Sequence, residues 1–343
     1  MTRPHPNPSA MQLVATPSNP VPPGATLPPV VTEDGLALRC AVWQPAAAPC
    51  RGTVCVLQGR TEFVEKYFET VGDLRRRGFA VVAFDWRGQG LSAREVANPH
   101  KGHVRDFALY RRDLEAVFEQ VIRPALPAPY FALAHSMGAA VTLLGAREGW
   151  LPFARVVALA PMIALKLVSR PRLAAGAALA LSLAGLSERF IPGGREAPLS
   201  DRPFAGNRLT GDPARYARNA ETARALGAGA VGDPTIGWVR AAFRAMHRLA
   251  DPSFPSAIRL PFLILAAGAD PVCDTAAIER FAARLKAGHA LVIPGARHEL
   301  LMETDPIRDQ VWAAFDAFIP GEGSPREQVE RGRVEALVTG GDD

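Results

Sequence analysis

The sequence predicts an α/β protein: a mostly parallel, doubly wound sheet with a helical cap inserted late in the chain. Three observations carry this. From residue 35 onward, short β-rich runs alternate with stretches of helical periodicity. The apolar runs are continuous, as in strands buried on both faces. Between about Met162 and Pro255 the alternation stops, and helical stretches follow one another without convincing strands. The chain has 343 residues, 48% of them hydrophobic, enough for one large domain carrying such an insertion.

The elements follow in order. Residues 1–30 read as a disordered, Pro-rich leader, because MTRPHPNPSAMQLVATPSNPVPPG lacks the apolar core of a signal peptide. Met11 is a second candidate start beside Met1. Residues 31–161 and 256–320 form the core. Its strands are expected at Leu36–Trp43, Thr53–Leu57, Ala80–Phe84, Tyr130–Ala134, Val156–Ala160, Pro261–Ala267 and Ala290–Ile293. Its helices are expected at Phe63–Arg77, Asp106–Ile122, Met137–Arg147, Thr275–Lys286 and Pro306–Phe318. In the second of these, Phe107, Tyr110, Leu114, Val117, Phe118 and Val121 recur at helical spacing. Residues 162–255 are the cap. Its stretch LAAGAALALSLAGL (Leu173–Leu186) is uncharged and shorter than the roughly 20 residues a bilayer core requires. Burial against the main domain is the expectation there, with a surface for acyl chains or a membrane interface as the alternative. Residues 321–343 read as a flexible tail.

A net charge of +5 and a pI near 9.3 come without any block of like charge, which argues against a nucleic-acid face. A mildly cationic surface suits approach to anionic lipid. Cys40, Cys50, Cys55 and Cys273 form no C-x-x-C and have no zinc spacing, so reduced thiols in a cytoplasmic protein are expected.

The chemistry centres on YFALAHSMGAA, Tyr130–Ala140, where an apolar strand meets a small-residue helix at Ser136. A nucleophile elbow is written G-x-S-x-G; Gly138 is present and Ala134 replaces the first glycine. A serine hydroxyl needs a base. Of seven histidines, His5 lies in the leader, His100 and His103 in a loop, His247 in the cap and His289 beside the last strand. His135 adjoins the serine but points elsewhere on a tight turn. His298, in LVIPGARHELL, follows a buried strand through a Pro–Gly turn, on the ligand edge of a doubly wound sheet. An acid should follow a late strand, and LPFLILAAGADPVCD offers Asp270 and Asp274. Asp274 suits the cap of the next helix, which leaves Asp270 for the histidine. The order serine, acid, histidine is then the one found on α/β sheets of this kind. Two backbone donors for an oxyanion come from Met137, after the serine, and Arg60, in the loop TVCVLQGRTE. The Arg60 side chain is either incidental or faces an anionic headgroup. Glu62 in that loop reads as a structural hydrogen-bonder.

Four segments together resemble the α/β-hydrolases of the monoacylglycerol lipase and bacterial lysophospholipase group, over about Gly35 to Phe318. They are LQGRTEFVEKY, with Gln58 where many relatives have His; FDWRGQGLS, similar to a D-x-R-G-x-G-x-S turn; AHSMGA; and the pair AGADPVCD and PGARHELLME. The resemblance implies a triad of Ser136, Asp270 and His298, oxyanion amides at Arg60 and Met137, and no metal or organic cofactor. It implies an ester-cleaving enzyme acting on a lipid with one acyl chain; peripheral contact with the inner face of the membrane is expected separately, from the apolar cap segment. An elbow serine argues against relatives that use a carboxylate there. The rivals are a small-ester carboxylesterase, an aminopeptidase-like hydrolase and a non-catalytic binding protein. The second would need cap acids such as Glu188, Glu196 and Asp201 to hold a substrate ammonium.

Overall fold

A computed structural model describes residues 12–198 and 202–320. Among these residues, eight strands make one sheet in the order β1-β2-β4-β3-β5-β6-β7-β8. They are β1 (Pro29–Val31), β2 (Ala37–Trp43), β3 (Thr53–Leu57), β4 (Ala80–Phe84), β5 (Tyr130–His135), β6 (Arg155–Leu159), β7 (Phe262–Ala267) and β8 (Gly288–Ile293). β2 runs antiparallel to β1 and β4, and every other neighbouring pair is parallel. Central strands are buried on both faces. Cys55 and Leu57 of β3 enter one core cluster, Val54 and Val56 the other.

Among the described residues, nine helices cover the sheet and its cap: α1 (Phe68–Arg76), α2 (Ala108–Val117), α3 (Arg123–Ala125), α4 (Met137–Glu148), α5 (Pro171–Leu183), α6 (Pro213–Leu226), α7 (Ile236–Leu249), α8 (Thr275–Ala282) and α9 (Asp305–Phe318). α1 and α9 bury Val71, Leu74, Val311 and Phe315 on one face; α2, α4 and α8 bury Leu114, Leu143 and Ile278 on the other. The helix expected at Phe63–Arg77 begins instead with a 3-10 turn at Val64–Tyr67. The one expected at Asp106–Ile122 widens into a π turn at Phe118–Ile122.

The disordered leader expected for residues 1–30 is corrected for residues 12–30, which pack on the core; the rest of that stretch, with Met11, and the tail at 321–343 lie outside the described residues. The Val14 amide donates to Glu65 Oε1 (3.0 Å), Trp43 Nε1 donates to the Pro22 carbonyl (3.1 Å), and Thr26 bridges Val42. Proline fixes an extended backbone that suits a sheet edge, so its density here marks a strap laid on the fold.

Between β6 and β7 the chain supplies α5, α6 and α7. α6 is capped by Asp212, which accepts from the amides of Ala214 (2.8 Å) and Arg215 (2.9 Å). Thr235 caps α7, which buries Trp238, Ala241, Ala242 and Leu249 in the same cluster as α2 and α4. α5 rests on α7, not on the main domain. Of its residues only Ala178 is buried, while Leu173, Leu179 and Leu183 are 64%, 44% and 75% exposed. The expectation that this segment buries against the core is therefore corrected. Among the described residues, no helix is long and apolar enough to cross a membrane.

Candidate active site

β5 ends at His135 and α4 begins at Met137, so the chain reverses at Ser136. Ser136 sits at φ 49°, ψ −107°, a conformation uncommon for a residue with a side chain. Its amide is held by the Leu159 carbonyl at 2.9 Å. Ala134 lies between Leu57 and Ala158 in the sheet and is fully buried, so its one methyl group fits where the elbow rule asks for glycine.

β7 delivers Asp270 and β8 delivers His298 to the same C-terminal edge. The Ser136 hydroxyl lies 3.0 Å from His298 Nε2, and His298 Nδ1 lies 2.9 Å from Asp270 Oδ2. A carboxylate only accepts, so Nδ1 carries the proton and Nε2 is free to accept from the serine. Asp270 also accepts from the amides of Val272 (2.7 Å) and Cys273 (3.0 Å). Burial pushes the Asp270 carboxyl upward, but His298 and these two amides outweigh it and hold the pKa below the ordinary value. Asp274 caps α8 by accepting from the Ala277 amide (3.1 Å), as its position predicted.

The loop after β3 is fixed from several sides. The Gly59 amide donates to Glu62, and the Thr61 amide donates to Gln89 Oε1 (2.5 Å). The Arg60 amide between them has no protein acceptor among the described residues, nor has that of Met137. α4 abuts this loop: a Cβ on Gly138 would meet the carbonyl oxygens of Leu57 and Gln58 at 2.4 and 2.6 Å. Two free amides on abutting segments suit a developing oxyanion. The Arg60 guanidinium lies 5.0 Å over the Trp238 ring and donates to the Gly232 carbonyl (2.8 Å), tying the loop to the cap.

Four other histidines have partners of their own. His100 and His103 bond Ala230 and Thr235 in the cap, His289 meets Phe318 edge-on, and His135 faces Glu62 and the His298 carbonyl. Two groups escaped the sequence reading. Gln89 holds the loop after β3, and only its place inside the D-x-R-G-x-G-x-S turn marked it. Cys273 lies beside the acid, three positions after Asp270 in DPVCD. Asp270, Cys273 and His298 bring ligand-type atoms within 4.8 Å of one another. Both imidazole nitrogens are already engaged, and burial and Asp270 push the thiol well above its ordinary pKa, so the group is poorly suited to a metal.

Comparison with known proteins places the chain in a family. The model described as Serine aminopeptidase, S33 matches residues 48–305. Lysophospholipase L2 of Escherichia coli (strain K12) is 35% identical over 79% of this chain and 81% of its own. Monoglyceride lipase of Rattus norvegicus is 29% identical over 73% of this chain and 75% of its own. Among solved structures, a soluble variant of the Saccharomyces cerevisiae monoglyceride lipase superposes with a TM-score of 0.66 at 19% identity, covering 86% of this chain and 95% of that one. The monoacylglycerol lipase of Paleococcus ferrophilus gives 0.62 at 22% identity, over 82% and 98%. Those last two speak for the fold alone. With its mostly parallel sheet, elbow serine and late helical insertion, the chain belongs to this α/β-hydrolase family, described as Serine aminopeptidase, S33.

Proposed function

We propose that the chain is a serine esterase that cleaves single-acyl-chain lipids, as a lysophospholipase or monoacylglycerol lipase, through an acyl-enzyme. The observation that carries the mechanism is the unbroken relay from Ser136 Oγ through His298 to Asp270. The substrate class rests on the names of the relatives.

In this reading His298 Nε2 takes the Ser136 proton as Oγ attacks the ester carbonyl carbon. The carbonyl oxygen becomes an oxyanion and accepts from the amides of Arg60 and Met137. Asp270 stabilises the imidazolium without taking its proton. Collapse breaks the carbon–oxygen bond to the leaving alcohol, which receives the proton from His298. Water, deprotonated by the same nitrogen, then attacks the acyl carbon and releases the acid and Ser136. An aminopeptidase would need carboxylates gathered around a substrate ammonium. Glu188 and Glu196 are instead exposed, Glu196 accepts from Asn98 (2.6 Å), and Asp201 lies outside the described residues.

The proposal includes peripheral contact of a cytoplasmic enzyme with an anionic membrane surface through α5. Its exposed leucines are flanked by exposed Lys166, Arg170 and Arg172, the composition of an interfacial helix.

The test is hydrolysis of a monoacylglycerol, a lysophospholipid and a short-chain nitrophenyl ester by the purified chain and by Ser136→Ala. Release of fatty acid from either lipid is expected, with the variant slower by about 10⁴-fold or more. Turnover of the short ester alone would sink the lipid assignment. Equal rates for both proteins would sink the serine mechanism.

A further inference from the structure

Behind the candidate nucleophile lies a buried ionic cluster that the hydrolysis steps do not use. Lys66 Nζ donates to Glu62 Oε1 (2.8 Å) and Glu299 Oε1 (2.6 Å). Glu62 also accepts from Tyr67 Oη (2.6 Å) and from the Gly59 amide of the oxyanion loop. His135, next to Ser136, completes it. Its Nδ1 lies 3.1 Å from Glu62 Oε1 and 3.3 Å from Oε2, and its Nε2 lies 3.2 Å from the His298 carbonyl oxygen. All of these residues are buried, around a cavity of about 10 Å³ that has room for one water at most.

Two independent arguments fix the protonation of His135. The first is valence. Nε2 faces a carbonyl and Nδ1 faces a carboxylate, and both only accept. A neutral ring has a single N–H and would aim a lone pair at one of these oxygens. The second is charge. Two carboxylates and one ammonium leave the cluster at −1, and an imidazolium closes it to zero where water cannot screen the difference.

We propose that His135 is held as an imidazolium and serves as a positioning residue: its two N–H groups tie the oxyanion loop to the backbone of the candidate base. Glu62 is the joint, because it holds the Gly59 amide on one side and His135 on the other. The groups that face the ring are Glu62, Lys66 and Tyr67 from the oxyanion loop and the turn after it, and Glu299 and His298 from the loop after β8. The His298 ring stands 4.9 Å away, tilted by 55°. Electrostatics run the same way. Burial alone would strip the proton from His135, but the Glu62 carboxylate outweighs it and raises the pKa. Burial likewise pushes Glu62 up, and Lys66 and His135 more than reverse it.

The deciding measurement is long-range proton–nitrogen NMR on the full chain with ¹⁵N-labelled histidine, His135→Gln supplying the assignment. Both ring nitrogens of His135 should remain protonated at about pH 8, where an ordinary histidine of pKa about 6.5 is neutral. A neutral-tautomer pattern there would overturn the inference. Glu62→Gln supplies a second arm and keeps a hydrogen-bonding side chain in place. It should release one His135 proton at lower pH and cut kcat on the order of 10- to 100-fold with KM little changed, as for a displaced catalytic loop. The loss should deepen as pH rises. An unchanged kcat and pH profile would remove the positioning role. That role rests on the esterase reading. If no ester turns over, that reading fails while the NMR result still decides the protonation state. The rate of Ser136 labelling by a fluorophosphonate, compared with Glu62→Gln over the same pH range, then decides the positioning role.

Discussion

A Cβ added to Gly138 would have to share space with two backbone carbonyls at the end of β3, those of Leu57 and Gln58. These are main-chain atoms at the end of a central strand and in the first residue past it, so they yield only by shifting the loop after β3. Gly138→Ala should therefore destabilise the fold by about 1–3 kcal/mol, the usual result of overpacking. It should also lower kcat by on the order of 10²-fold, because the Arg60 amide moves with the loop. Ala134→Gly is the matched control: it removes a methyl group that already fits, and should leave kcat within a few-fold. Urea unfolding and ester kinetics on both variants check the pair. The contrast explains what was legible at this scale. Ser136, Asp270 and His298 each follow the end of a strand, a junction the sequence displays, although β8 before His298 is largely exposed and not buried as the sequence predicted. Gln89 and the Lys66–Glu299 pair act through contacts between segments distant along the chain, and no local pattern encodes those.

Among the elements, the central strands were readable because burial on both faces requires unbroken runs of Val, Ala and Leu. Thr53–Leu57 and Ala80–Phe84 fall where the sequence predicted them. β1 was not readable, being three residues in a Pro-rich strap whose partner, β2, is itself at a sheet edge before β1 joins it. α5 misled for a different reason. An apolar, uncharged helix has no polar stripe to show which side faces water, so composition could not distinguish a core helix from an exposed one. Its exposure makes the proposed membrane contact testable. Leu173→Glu with Leu183→Glu should lower co-sedimentation with vesicles containing anionic lipid by roughly tenfold or more, given the apolar area withdrawn. Hydrolysis of a water-soluble short ester should be unchanged, as these side chains already face solvent. Equal sedimentation of variant and wild type would remove α5 as the contact.

Taken whole, the molecule joins its cap to its core through charges as well as through Trp238, and Glu69 is the hub. This α1 carboxylate accepts from Arg215 Nε (2.9 Å) and Nη2 (2.6 Å) on α6, and from Arg218 on the same helix. Arg215 reaches on to Asp305 at the start of α9 (2.6 Å), and Arg308 of α9 lies 3.6 Å from Glu69. Burial pushes the Glu69 pKa upward, but Arg215, Arg308 and Arg218 overcome it and bring the pKa down to about 2. A carboxyl whose folded pKa is depressed stabilises the fold above its unfolded value, and that contribution is lost as pH falls through the folded one. Its side chain is 27% exposed, so solvent screening trims the worth of the shift to about 2 kcal/mol near neutral pH. Glu69→Gln should accordingly unfold at lower urea than the wild type at pH 7. The gap should stay constant down to about pH 5 and close as pH falls toward 2, because protonated Glu69 and Gln are then alike in charge. A gap that persists at pH 2 would mean that the substitution acts through packing rather than charge.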